Sequence, residues 1–279
     1  GVEVGGTMAH KDRVVMDDAQ ALTTLRVHYG MLFGCSSTDL CRPGWSVLTA
    51  RAECDPVALL FGRRSLLSIL SPIAPADLTG RRAGLVAVAP ELRAPVAALL
   101  RELPPERLFA DGGNGLRALH TLVTSASPRA GLGVASPDDC HTHIRFVSRA
   151  SFAPYIGQWQ EWIEPLDEGN ELEPVALGLL ARYSGGVYVV RDEGGIISHA
   201  GIRPHSPHVA EIGVRTDAEA LRGHGLARAV VSRATKAVFA AERLPIYRHG
   251  AADIPAARVA EALGYRVYAD AVEYGVPTL

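Results

Sequence analysis

No stretch of this 279-residue sequence reaches the roughly 18 uninterrupted apolar residues that a membrane-spanning helix requires, so a spanning segment is not expected. Its first residues carry no basic stretch leading into an apolar one, which leaves no sign of a secretory leader. Residues 1–7, ahead of Met8, read as a leftover of expression and are set aside. Cysteine is scarce. Cys35, Cys41, Cys54 and Cys140 include no Cys-x-x-Cys pair and make no framework for a small stapled fold, so they read as reduced thiols of a cytoplasmic protein. A surplus of positive charge is missing too: Lys plus Arg number 28 against 30 Asp plus Glu, which disfavours a nucleic-acid partner. No short internal repeat is present, and no Gly-x-Gly-x-x-Gly opens a first strand-helix unit, which counts against a dinucleotide enzyme.

What is present is an ordinary globular composition. With 48% apolar and 21% charged residues, the chain can fill a core without being disordered. Its length exceeds that of one typical domain of about 100–200 residues and predicts two. The stretch 125–137, rich in Ser, Pro, Gly and Ala, is the expected boundary, giving an N-terminal α/β domain at residues 8–130 and a C-terminal domain at 138–279. In the first, patterning predicts a helix over 17–31, strands over 44–52, 64–70 and 84–88, and a helix over 93–103, with prolines setting the ends. Ala110-Asp111-Gly112-Gly113-Asn114-Gly115 lacks a preceding strand and reads as a turn rather than an anion loop.

The C-terminal pattern is sharper. Residues 186–191 and 196–202 are apolar runs around the turn Asp192-Glu193-Gly194-Gly195, hence a hairpin. Another strand is expected over 209–216. Then comes Arg222-Gly223-His224-Gly225-Leu226-Ala227, followed by apolar residues at helical spacing: Leu226, Val230, Val231, Ala234, Val238 and Phe239. Two glycines so close together allow left-handed backbone and turn successive N–H groups toward one anion, where the helix start adds unpaired donors and its positive dipole end. A strand at 245–248 follows. Asp253 can cap a further helix that Gly264 ends, and a last strand is expected over 265–274.

This order of elements resembles the second half of the GNAT superfamily of acyl-CoA N-acyltransferases. The likeness rests on the family's Arg/Gln-x-x-Gly-x-Gly/Ala signature at residues 222–227 and on the closing segment Asp253-Ile254-Pro255-Ala256-Ala257-Arg258-Val259-Ala260-Glu261-Ala262-Leu263-Gly264-Tyr265. It covers clearly the last third of the chain. It implies a mixed, mostly antiparallel sheet flanked by helices, acetyl-CoA as the acyl donor, and transfer of acetyl to a primary amine of a small molecule or peptide. By the same likeness pantetheine would lie along Ile212, Val214 and Thr216, and the diphosphate on Arg222, Gly223, His224, Gly225, Leu226 and Ala227, with Asp253 beside it. The segment 216–221 is one residue longer than the common family spacing. The N-terminal domain is expected to be a degenerate copy of the fold, without its own signature, that shapes the acceptor pocket or a homodimer.

The amine needs an acceptor for its proton, and Glu211 is the candidate, because Val209, Glu211 and Gly213 share one face of their strand and family members carry a carboxylate base on that face. A solvent-facing glutamate is the plain alternative. His199, His205 and His208 are rival bases, each more readily explained as structural. Family members often use a tyrosine in the last helix to protonate the leaving thiolate; Ala260 stands there, and Tyr265 and Tyr274 are the substitutes considered. An inactive acyl-CoA-sensing module is therefore the second reading. The segment 159–168 matches an acceptor-side wall, with Trp162 expected to be buried. Cys140-His141-Thr142-His143 is read as the polar lead-in to the strand Ile144-Arg145-Phe146-Val147 and not as a metal site, since no second ligand pair is evident.

Overall fold

The computed structural model describes residues 16–50, 63–74, 80–110, 113–126, 136–166, 173–217 and 222–277. Its described strands form one mixed sheet. They are β1 (Gly44–Thr49), β2 (Arg63–Pro72), β3 (Ala83–Val88), β4 (His141–Phe146), β5 (Glu164–Pro165), β6 (Val187–Asp192), β7 (Gly195–Pro204), β8 (Val209–Thr216), β9 (Leu244–Gly250) and β10 (Arg266–Pro277). The spatial order is β1-β3-β2-β10-β4-β9-β8-β7-β6-β5, and only the β1–β3 and β8–β9 neighbours are parallel. The expected mixed, mostly antiparallel sheet is thus present. Strands from the N-terminal and C-terminal parts share it, because β10 pairs with β2 on one side and β4 on the other. The proposed boundary falls largely on residues 127–135, outside the described residues, as do Asp111 and Gly112 of the glycine cluster.

The longer helices are α1 (Asp18–Phe33), α2 (Arg93–Glu102), α3 (Asn114–Ala126), α4 (Pro174–Arg182), α5 (Leu226–Ala240) and α6 (Ile254–Ala262). Asp17 caps α1, its carboxylate accepting the Gln20 N–H at 2.8 Å, and Gln20 returns the bond. Helix α3 was not expected. Leu116, Leu119 and Val123 are its buried positions, a helical spacing concealed between a glycine cluster and a Ser/Pro-rich stretch.

Side-chain alternation tells which helix covers which face. Leu85 and Ala87 pack in the cluster of α1, whereas Val86 and Val88 pack with α2 and α3. Likewise Val209 and Ile246 face α1, while Ala210, Ile212 and Tyr247 face α5 and α6. Helix α1 therefore covers one face, and α2, α3, α5 and α6 cover the other. Glu211, two residues after Val209, falls on the α1 face, and Asp270, between Ala269 and Ala271, falls on the opposite one.

Candidate active site

The site begins as a failure of two strands to stay together. β8 pairs with β7 along its whole length, from Pro204↔Ala210 to Ser198↔Thr216. Its pairing with β9 runs only from Val209↔Leu244 to Ile212↔Tyr247, although both strands continue. Past Ile212 the β9-facing edge of β8 opens on a cleft of about 1000 Å³. A strand edge without a partner can take an extended ligand through main-chain hydrogen bonds. Val214 and Thr216 line this cleft, as does Tyr247. Ile212 does not: it is fully buried, and its backbone is still paired on both sides, so it lies just behind the opening.

The glycine loop closes one end. Gly223 and Gly225 have φ of +84° and +89°, the left-handed region that side-chain-bearing residues avoid. Gly225 is the N-cap of α5, and no side chain among the described residues caps that helix, which leaves donors at its start. Arg222, Gly223, Gly225, Leu226 and Ala227 all line the cleft, and Arg228 and Arg258 stand with them. This donor set suits a diphosphate. His224 instead braces the loop through its backbone, its carbonyl accepting the Trp159 indole N–H at 2.8 Å. Tyr155, stacked under the Arg228 guanidinium, packs beneath Gly225, and its own N–H donates to Ser232 on α5 at 3.0 Å. Trp159 thus holds the loop. Trp162, expected to be buried, is 63% exposed; the two tryptophans share a short 3-10 turn (Gln158–Trp162), and only Trp159 faces α5. The segments 167–172 and 218–221 lie outside the described residues, and with them the register of the lengthened 216–221 stretch.

Asp253 lines the cleft but has a local role as well. It caps α6 by accepting the Ala256 N–H at 3.0 Å.

Glu211 lies at the other end, with its side chain 11% exposed. Arg203, directly opposite on β7, donates to Oε1 at 3.2 Å. Arg248 of β9 brings Nε to 3.8 Å from Oε2, and His205 Nε2 lies 3.5 Å from the same oxygen. Oε2 is buried and makes no hydrogen bond among the described residues, so one acceptor position of this carboxylate is unfilled by them. Burial lowers the His205 pKa to about 3, with the Arg248 and Arg203 charges adding to the effect, so it is a neutral imidazole near pH 7. His28 of α1, stacked on His205 at 6.0 Å, is lowered to about 3 mainly by burial, with His205 as the next cause. His199 is buried outside the cleft lining and His208 is exposed.

The tyrosines sort themselves similarly. Ala260 is fully buried in the α5–α6 core. Tyr265 is sealed in the same core with its hydroxyl on Thr235 at 2.7 Å, and Tyr274 is bound to Cys140 and His120 beside α3. Tyr183 and Tyr247 both line the opening, and burial keeps the Tyr247 phenol protonated well beyond the usual range. The pair Arg203 and Arg248 did not stand out in the sequence, because only the register across β7, β8 and β9 brings them to Glu211; Tyr247 faces the other side of the sheet.

Residues 153–265 match the family model for the acetyltransferase (GNAT) family. No curated protein matches the chain. Solved structures with partial likeness include a GNAT-family protein from Novosphingobium aromaticivorans, at 22% identity and TM-score 0.37 over 50% of this chain and 66% of that one. A GCN5-related N-acetyltransferase from Kribbella flavida shares 18% identity at TM-score 0.36, over 56% of this chain and 66% of its own. A tandem GNAT protein of the clavulanic acid biosynthesis pathway shares 15% identity at TM-score 0.32, over 50% and 55%. The chain thus spans less than two thirds of each of these three. With the family match falling on the opened strands, the glycine loop and the α6 cap, this chain carries a GNAT-superfamily acetyltransferase domain in its C-terminal part.

Proposed function

We propose that the chain is an acetyl-CoA-dependent N-acetyltransferase acting on a primary amine of a small molecule or peptide. The observation that carries this reading is the parting of β8 and β9 after Ile212 and Tyr247, which leads straight to the positive-φ glycines at the start of α5. Pantetheine would add to the exposed edge of β8 at Val214 and Thr216, and the diphosphate would rest on the N–H groups of residues 223–227, with Arg222 and Arg228 beside it. The thioester carbonyl then lies between the parted strands. The amine nitrogen bonds to the carbonyl carbon, the C–S bond breaks, and the CoA thiolate leaves. The proton lost by nitrogen passes to Glu211, directly or through one water, a step worth about 10²–10⁴-fold in rate. Residues 8–130 are read as the domain that shapes the acceptor end, supported by the approach of α1 and its His28 to His205.

Calorimetric titration of acetyl-CoA and CoA into the parent and into Gly225→Glu tests the reading. The variant should lose binding, since its carboxylate would enter the cradle; equal binding by both proteins would place the cofactor elsewhere. The second reading, an acyl-CoA-sensing module, is favoured by Ala260 standing where the family has its tyrosine. Tight CoA binding without product from any amine in a broad panel would select it.

A further inference from the structure

The strand His141–Phe146 and the last strand, Arg266–Pro277, meet at the seam of the sheet, where none of His141, His143 and Asp270 lines the cleft although His143 is paired with His249, which does, their rings 5.4 Å apart. His143 is paired directly with Asp270 there, and His141, two residues earlier, faces the same way. The two imidazoles converge on a single oxygen: His141 Nε2 lies 2.9 Å and His143 Nε2 3.3 Å from Asp270 Oδ1. One donor atom from each of the three side chains lies within 4.8 Å of the others. Ligands bound at about 2.0–2.2 Å to one ion stand roughly 2.9–3.5 Å apart as neighbours, depending on geometry. The two nitrogen-to-oxygen separations fall in that range. Arg82 holds the other carboxylate oxygen at 2.8 Å, which fixes the rotamer and leaves Oδ1 to act alone, and Phe109 packs on the His141 ring at 5.0 Å.

We propose that His141, His143 and Asp270 form a site for one divalent transition-metal ion. Two imidazoles and one carboxylate oxygen are the donors that zinc, cobalt and nickel accept and that magnesium or calcium do not prefer. On binding the ion, each ring would give up the Nε2–H bond it donates to Asp270, keep its proton on Nδ1 and offer the Nε2 lone pair, so a neutral ring changes tautomer without releasing a proton. His143, with 26% of its side chain exposed, leaves solvent access for water in the remaining position. The ion would tie β4 to β10, the strand that also pairs with β2.

Titration of Zn²⁺ into the full chain near neutral pH tests the site, with His141→Gln, His143→Gln and, as a control, exposed His208→Gln. The parent and the control should bind one ion. Each ligand variant should weaken binding by at least about 100-fold, since even the outer partners of ligands are worth about 10–100-fold. No binding by the parent, or binding that survives both ligand substitutions, overturns the proposal. A measurement on the parent alone covers the case of a misfolded variant: Zn²⁺ should shield His141 and His143 from carbethoxylation, mapped by mass spectrometry. Undiminished labelling of both at saturating Zn²⁺ also overturns it.

Discussion

Glu211 sits between two guanidiniums, yet one of its oxygens makes no hydrogen bond among the described residues. Replacing that oxygen by an amide keeps the shape and removes the proton acceptor. Glu211→Gln should therefore lower kcat by about 10²–10⁴-fold while leaving calorimetric CoA affinity within about twofold. Unchanged kcat with intact CoA binding would remove Glu211 from the chemistry. The neighbouring histidines make a separate prediction about acid. His28 and His205 have folded pKa values near 3, against 6.5 for a free imidazole. Between those values the unfolded chain binds protons that the folded one excludes, so stability rises with pH across the window. It is fully present above about 6.5 and lost as the pH falls toward 3, at a limiting slope of about 1.4 kcal/mol per unit for each histidine. Denaturant melts from pH 7 to 4 check this, and His205→Gln should flatten the profile; the same slope in the variant would show that other groups set it. Asp270 works in the same direction at lower pH, its contribution present above the ordinary carboxylate range and lost as the pH falls below it. Burial opposes its ionisation, but hydrogen bonds from His141, His143 and Arg82 outweigh that and hold its carboxyl well below the usual range, so its stabilisation survives until stronger acid.

Among the elements, the β7–β8 hairpin illustrates how sequence and fold share the work. Gly201 and Gly213 are paired across it, and the Tyr183 ring lies on both. A Cβ at Gly201 would come within 2.1 Å of the Tyr183 ring, so Gly201→Ala has to push the ring off the sheet. The expected cost is about 1–3 kcal/mol, with weaker CoA binding because Tyr183 lines the cleft. Chemical denaturation and calorimetry on the same variant measure both; an unchanged midpoint would mean that the ring moves freely. The strands themselves were legible. The expected 209–216 run is β8, and the apolar spacing after Gly225 is α5, because alternation and 3.6-residue periodicity are local properties. So was the glycine loop, whose left-handed residues are the ones its spacing required. Tyr183 over Gly201, Trp159 under His224 and Asp270 beside His141 were not. Each joins residues through pairing or packing that no window of sequence contains; Asp270 and His141 are separated by 129 positions. Trp162 failed for the converse reason. A tryptophan's apolar area argues for burial on average, whereas a short 3-10 turn can turn only some of its residues inward.

At the scale of the molecule, charge is unevenly spread. The chain carries a formal net charge of −2, but among the described residues seven arginines and two carboxylates line the cleft. All seven belong to a chain whose only lysines are Lys11 and Lys236. Guanidinium groups bind phosphate oxygens in pairs and hold less water than an ammonium, so this distribution concentrates attraction for a polyanion in one place. Affinity for CoA should accordingly fall by about tenfold between 0.05 and 0.5 M salt, as the screening length shortens. A calorimetric Kd that stays constant over this range would mean that the arginines serve the fold rather than the ligand.

The position of β10 has a consequence for how the protein is made. Three strands nearer the N-terminus, β1, β3 and β2, reach the rest of the sheet only through residues 266–277. During synthesis they emerge long before that strand, so β2 must wait with its hydrogen-bonding edge bare until nearly all of the described chain has left the ribosome. Among the described strands the sheet is closed from its middle by the one latest in the sequence, an order of synthesis that favours strand exchange between nascent chains.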